Sequence, residues 1–228
     1  MFYYDRTYIL VLIGLIISSI AQANIQRKFD KYKKIKTQKS ITGFDAARYI
    51  LSTNSYNDIS IKKVRGSLSD YFNPVSKEVA LSETSMTDTS IASLAVAAHE
   101  CGHVIQYKEG YIPLKIKSYI VPAVNLGSKL SFPMILLGIF LSIGKLITIG
   151  IFLFSFVLIF QIITLPVEFD ASRRALKVLK ESGMLVGVEN DYAKDMLKSA
   201  ALTYVAATIS TALQFLRLWI LFGNRRDD

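Results

Sequence analysis

The chain contains two histidines, and both lie in one five-residue stretch, His99-Glu100-Cys101-Gly102-His103. On a helix, residues i and i+4 share a face, so these two imidazoles can converge on one ion about 2 Å from each. Glu100, one position on and turned by about 100°, reaches the rim of such a site. There a carboxylate can hold and deprotonate a metal-bound water, the arrangement of metal-assisted hydrolysis. His99 and His103 are therefore candidate zinc ligands, and Glu100 is a candidate general base. Cys101 and Gly102 face away, and Cys101 reads as a small packed residue rather than a ligand. Two randomly placed histidines fall four apart in about 1% of such chains, and a Glu beside the first lowers that to about 1 in 2,000. The competing reading, two satisfied core histidines, is weak by comparison.

A catalytic zinc takes three protein ligands and keeps one position open. With no third histidine, an Asp or Glu must come from elsewhere in the chain. The elements that position these groups follow from patterning. Residues 90–108 read as a helix capped by Thr89 or Ser90. Its body is apolar and small all round (Ala97, Ala98, Val104 and Ile105 flank the motif), so the helix is buried and its polar residues need partners. Ahead of it, residues 42–51 read as a short helix capped by Thr42, with Ala46, Ala47, Ile50 and Leu51 as its apolar stripe. Residues 58–64 and 78–82 read as two short strands joined through a turn at 70–74, hence a hairpin.

The chain as a whole is too hydrophobic for an ordinary soluble domain, at 51% apolar residues and a mean hydropathy of +0.35. Four stretches suit a bilayer, where a span needs about 20 apolar residues. They are residues 8–25, two spans forming a hairpin over 119–167 with a break at Gly144-Lys145, and 199–223. In the last, Arg217 and several hydroxyl residues leave an interfacial helix as the alternative to a span. Seven basic residues between Arg27 and Lys39, against Asp30, directly follow the first span and hold most of the net charge of +9. That places residues 26–118 on the cytoplasmic side. It also argues against nucleic acid as a partner, because the charge lies beside lipid headgroups. A rival reading takes Ala21-Gln22-Ala23 as a signal-cleavage site; the segment before it is not basic, and the basic run after it suits an anchor. The lone Cys101 excludes an intramolecular disulfide framework.

The topology supplies a third ligand. A membrane hairpin returns the chain to its starting side, and the first acid after that return is Glu168. The segment 168–198 is predicted to open with a helix running to a stop at Gly183. Glu168, Ala171 and Ser172 share a face of it, while Asp170 points elsewhere and favours the helix N-terminus. The alternative for Glu168 is a solvated or interfacial carboxylate.

Several blocks in order (MFYYD, ITGFDAARYIL, AVAAHECGHVIQ, VPAVNLGSKL, LPVEFDASRRAL and AALTYVAA) make the chain resemble the YugP-like neutral zinc metallopeptidases of bacteria over nearly its whole length. More loosely it resembles gluzincin membrane peptidases of the heat-shock and CAAX-processing types. The resemblance implies one zinc per chain held by His99, His103 and Glu168, with Glu100 as catalytic base. In the related gluzincins the residue four after the ligand Glu is usually Asp. Here it is Ser172, which puts the support of a zinc histidine in question.

The expected fold is mainly α: an integral membrane protein with about four membrane helices and a small α+β zincin-like domain. The expected activity is zinc-dependent peptide-bond hydrolysis at the cytoplasmic face of a bacterial plasma membrane, on a peptide or protein substrate that includes membrane-associated ones. A substrate strand could add to the edge at 78–82. An oxyanion-stabilising Tyr is sought among Tyr71, Tyr192 and Tyr204. The rivals are a zinc-stabilised membrane scaffold or adaptor without activity, which leaves the acid at Glu100 without a purpose, and a surface binder using its basic run, which leaves H-E-x-x-H unexplained.

Overall fold

The computed structural model of the chain describes residues 5–223; the first four residues of the MFYYD block lie outside them. The chain is mainly helical and divides into two compact units. One takes Ala23–Leu114 and Val167–Leu202; the other takes the residues up to Gln22, Lys115–Pro166 and those from Thr203 on.

The first unit holds the small sheet and the motif helix. Helix α1, Tyr8–Lys33, runs beyond the expected end at residue 25 and takes in the first part of the basic run, up to Lys33. The reason is visible in the spacing of Ile25, Phe29 and Tyr32, which repeat at i, i+4 and i+7 and are all buried in the core. Helix α2, Gly43–Thr53, begins at Thr42, whose hydroxyl accepts from the Asp45 N–H, and Asp45 caps Thr42 in return. Its predicted stripe of Ala46, Ala47, Ile50 and Leu51 is buried.

The strands are β1 (Ser60–Val64), β2 (Tyr71–Asn73) and β3 (Glu78–Ser82), in the order β1-β3-β2. The expected turn at 70–74 is partly strand, and the hairpin joins β2 to β3 rather than β1 to β3. β1 pairs with β3 in parallel. β3 is thus central, with Val79, Ala80 and Leu81 all fully buried, as a strand covered on both faces requires. Both of its edges are taken, so no substrate strand can add at 78–82.

A short helix α3, Glu83–Thr87, leads into α4, Ile91–Lys108, whose cap is Ser90: its hydroxyl accepts from the Ser93 N–H. Leu94, Ala95, Ala97, Ala98, Cys101 and Val104 are buried almost completely. Burying a Leu such as Leu94 contributes about 1.5–3 kcal/mol.

Three further long helices complete the fold: α5 (Ile112–Phe140), α6 (Gly144–Glu181) and α7 (Glu189–Phe222). With α1 they make, among the described residues, four helices long and apolar enough to cross a membrane. The break between α5 and α6 falls at residues 141–143, beside the predicted Gly144-Lys145. α6 overturns one expectation, since Glu168 does not open a helix but lies well inside one, beyond an internal Pro166. The predicted stop holds: Gly183 takes a left-handed φ of 63°, open to glycine at no steric cost. Within the second unit α5 and α6 approach closely: a Cβ on Gly127 would come within 2.6 Å of the Leu153 carbonyl oxygen. Small residues of this kind let helices pack in lipid. In the same unit the Arg217 guanidinium donates to Asp5 at 2.8 Å and sits 4.2 Å from the Tyr8 ring centroid. That pairing offsets the cost of a cation in an apolar helix, which was the main objection to α7 as a span.

Candidate metal centre

α4 presents His99 and His103 one turn apart, and α6 brings Glu168 against them. Glu168 Oε2 lies 3.3 Å from His99 Nε2 and 3.5 Å from His103 Nε2. The imidazole centroids are 4.8 Å apart at an interplanar angle of 81°. One donor atom from each of the three residues falls in a cluster no wider than 4.8 Å. The donor set suits zinc: two imidazole nitrogens and a carboxylate oxygen. Tetrahedral bonds of about 2.1 Å put neighbouring ligand atoms about 3.4 Å apart, the size of both carboxylate–imidazole separations. Glu168 is only 3% exposed, which rules out the solvated-carboxylate alternative.

What brings α4 and α6 so close is Gly102. A Cβ there would come within 2.4 Å of the Ala171 carbonyl oxygen. Gly102, expected to face away from the site, therefore packs on the helix that carries Glu168, because only a residue without a side chain lets the two backbones meet there.

Residues 7–223 match the family described as "Putative neutral zinc metallopeptidase". The chain is also 38% identical over 219 residues to "Putative membrane protease YugP" of Bacillus subtilis (strain 168), covering 96% of this chain and 97% of that one. This chain belongs to the neutral zinc metallopeptidase family. No solved structure matches it.

Around the His99–His103–Glu168 cluster, outer contacts hold both imidazoles through their far nitrogens. His99 Nδ1 lies 3.2 Å from Ser172 Oγ, so the serine standing where an acid was expected does reach the ring. His103 Nδ1 lies 3.0 Å from Gln106 Oε1. Gln106 was missed in the sequence. The available signal was an amide three residues after His103 in a helix otherwise buried all round.

Asp170 is the second correction. It does not serve a helix N-terminus, being deep inside α6. Its carboxylate is buried, accepts from Gln106 Nε2 at 3.0 Å, and pairs with Arg173 and Arg174. The Arg174 guanidinium extends to Glu109 and lies over the Tyr111 ring.

Electrostatics separate the acids and bases of α4. Burial pushes the Glu100 carboxyl above the ordinary range; His99 and His103 oppose that, and Asp70 and Glu168 add to it. Burial alone would lower His103, but its hydrogen bond and charge interaction with Glu168 outweigh that and raise it. The Cys101 thiol is pushed far up by burial and stays protonated; it packs 3.9 Å from the Ala47 carbonyl oxygen, as its side of the helix predicts. Of the tyrosines considered, Tyr71 is half-exposed on β2, and Tyr192 stacks on Tyr32. Tyr204 falls in the other unit.

Proposed function

We propose that the chain is a membrane-embedded zinc metallopeptidase of gluzincin type, with its motif helix on the cytoplasmic side. His99, His103 and Glu168 would hold the ion. The observation that supports this best is the meeting of those three side chains, from helices far apart in sequence, with donor separations of 3.3 and 3.5 Å. Zinc, when bound, supplies a Lewis acid that acidifies water and polarises a carbonyl.

The remaining chemistry belongs to the chain. Glu100 does not belong to the ligand cluster and has no ligand's work. Its raised proton affinity suits a base that takes a proton from the attacking water and passes it to the leaving amine. The water oxygen forms the new bond to the carbonyl carbon, and the C–N bond breaks as the amine gains that proton. The apolar walls of α4 keep bulk water from competing for the carboxylate. Substrates of this site would be peptides or proteins, including those lying at a membrane.

The test is zinc content and casein-type hydrolysis by purified protein. Wild type should bind one zinc per chain, and His99→Ala and His103→Ala should lose it. Glu100→Gln should keep the metal while hydrolysis falls by about 10² or more. Zinc that is retained by both histidine variants would refute the site. Full activity in Glu100→Gln would refute the base, and zinc without any hydrolysis in wild type would favour a scaffold.

A further inference from the structure

The two imidazoles are backed by different chemistry, and the difference has a consequence for His103. Gln106 is fully buried. Its amide nitrogen donates to the Val167 carbonyl oxygen at 2.8 Å and to Asp170 Oδ2 at 3.0 Å. An amide nitrogen has two protons, so both are used. The oxygen is the only part of the amide left for His103 Nδ1, and an oxygen can only accept. Flipping the amide would set Oε1 against a carbonyl oxygen and a carboxylate and leave buried acceptors facing each other, a costly arrangement. Asp170 is itself held by Arg173 and Arg174, so it cannot swing away to permit the flip.

We propose that Gln106, braced by Asp170 and the Val167 carbonyl, is a positioning residue that keeps the proton of His103 on Nδ1 and so commits its Nε2 lone pair to the metal. The proposal rests on the zinc reading of the site. His99 has no such device, because the Ser172 hydroxyl can donate or accept and selects neither nitrogen. The brace has a further feature. Val167, Glu168, Asp170 and Ser172 are all on α6, so one stretch of one helix supplies a ligand and the backing of both histidines.

The experiment uses the full-length, zinc-loaded protein labelled with 15N-histidine. With two histidines in the chain, four ring nitrogens make up the whole imidazole spectrum. Both Nε2 signals should show metal ligation, and the Nδ1 proton of His103 should exchange slowly. In Gln106→Leu that proton should exchange quickly while the His99 signals stay in place, and zinc Kd should weaken roughly 10-fold to 100-fold. Gln106→Met, of similar volume and without a hydrogen-bonding amide, should do the same. Asp170→Ala should weaken zinc by less, and Asp170→Ala added to Gln106→Leu should cost nothing further, as expected of two groups acting through one contact.

The outcomes are separable. If wild type binds no zinc, the metal reading fails and the proposal with it. If wild type binds zinc but His103 ligates through Nδ1, the proposal alone is overturned, and that measurement needs no variant to fold. It is equally overturned if Gln106→Leu and Gln106→Met bind zinc as tightly as wild type, or if the Asp170 and Gln106 effects multiply.

Discussion

Leu94 and Leu136 are the same side chain, each in the body of a long helix, and the structure treats them in opposite ways. Leu94 is fully buried in α4, whereas Leu136 in α5 is 52% exposed. The contrast extends to their units. In the first, apolar residues fill a core around the sheet and α4; in the second, Leu12, Phe132, Phe140 and Phe152 point outward. A water-soluble fold does not leave so much apolar surface uncovered. The outer solvent of the second unit is therefore expected to be lipid, while the first carries its apolar medium inside. The first gathers its buried ionisable groups, Glu100, Glu168 and Asp170, around one small region and brings partners for the last two.

The comparison can be broken most completely by topology. Reporter fusions or accessibility labelling should place Lys36, Lys77 and Lys180 on the cytoplasmic side and Lys145 on the other. A cytoplasmic Lys145 would mean that the α5–α6 pair does not cross the bilayer. Next in size is a pair of truncations. Leu94→Ala should cost about 2–5 kcal/mol in unfolding measurements, and Leu136→Ala should stay within about 0.5 kcal/mol. Equal costs would show α5 packed against protein where lipid is expected.

A smaller effect concerns the site. Glu168→Gln keeps the volume and removes the anionic donor, so zinc affinity should fall roughly 10-fold to 100-fold, with partial recovery of activity in excess zinc. Unchanged affinity would remove Glu168 from the ligand set.

The smallest effect belongs to the exposed rim of the first unit. Hydrogen bonds from Lys108 and Lys77 hold the Asp58 carboxyl down at about 2. A depressed folded-state pKa gives stability that is present above the unfolded value of about 3.9 and is lost as pH falls toward 2. Asp58→Asn should therefore flatten the acid limb of an unfolding profile between about pH 4 and 2 and change little at neutral pH. A change confined to neutral pH would contradict the assignment.

How much of this could be read from the sequence varied with the range of the interaction. Thr42 and Ser90 announce their helices because a cap acts within three residues. His99 and His103 announce their shared face because four residues make about one turn. The apolar stretches give the long helices directly. β2 was hidden because the turn formers Asp70, Asn73 and Pro74 flank its two strand-favouring aromatics, Tyr71 and Phe72. The expected hairpin between β1 and β3, which in fact pair in parallel, followed from that omission. The segment from 168 was expected to open a new helix, but α6 runs through Pro166 without a break, and Pro occurs inside long helices whose neighbours satisfy the freed backbone. Glu168 was found by topology. Gln106 and Asp170 were not, because their meaning depends on a contact between helices 61 or more residues apart in the chain.

The motif around the histidines is conventionally written with two free letters at its centre. Here the second of those letters is not free. At position 101 the side chain is fully buried, with its thiol near α2, and at position 102 a single methyl group would collide with the backbone of α6. In this fold the pattern therefore carries a fourth specified position. A sequence matching only the three, with a bulky residue at 102, would satisfy the formula and still be unable to bring α6 against α4.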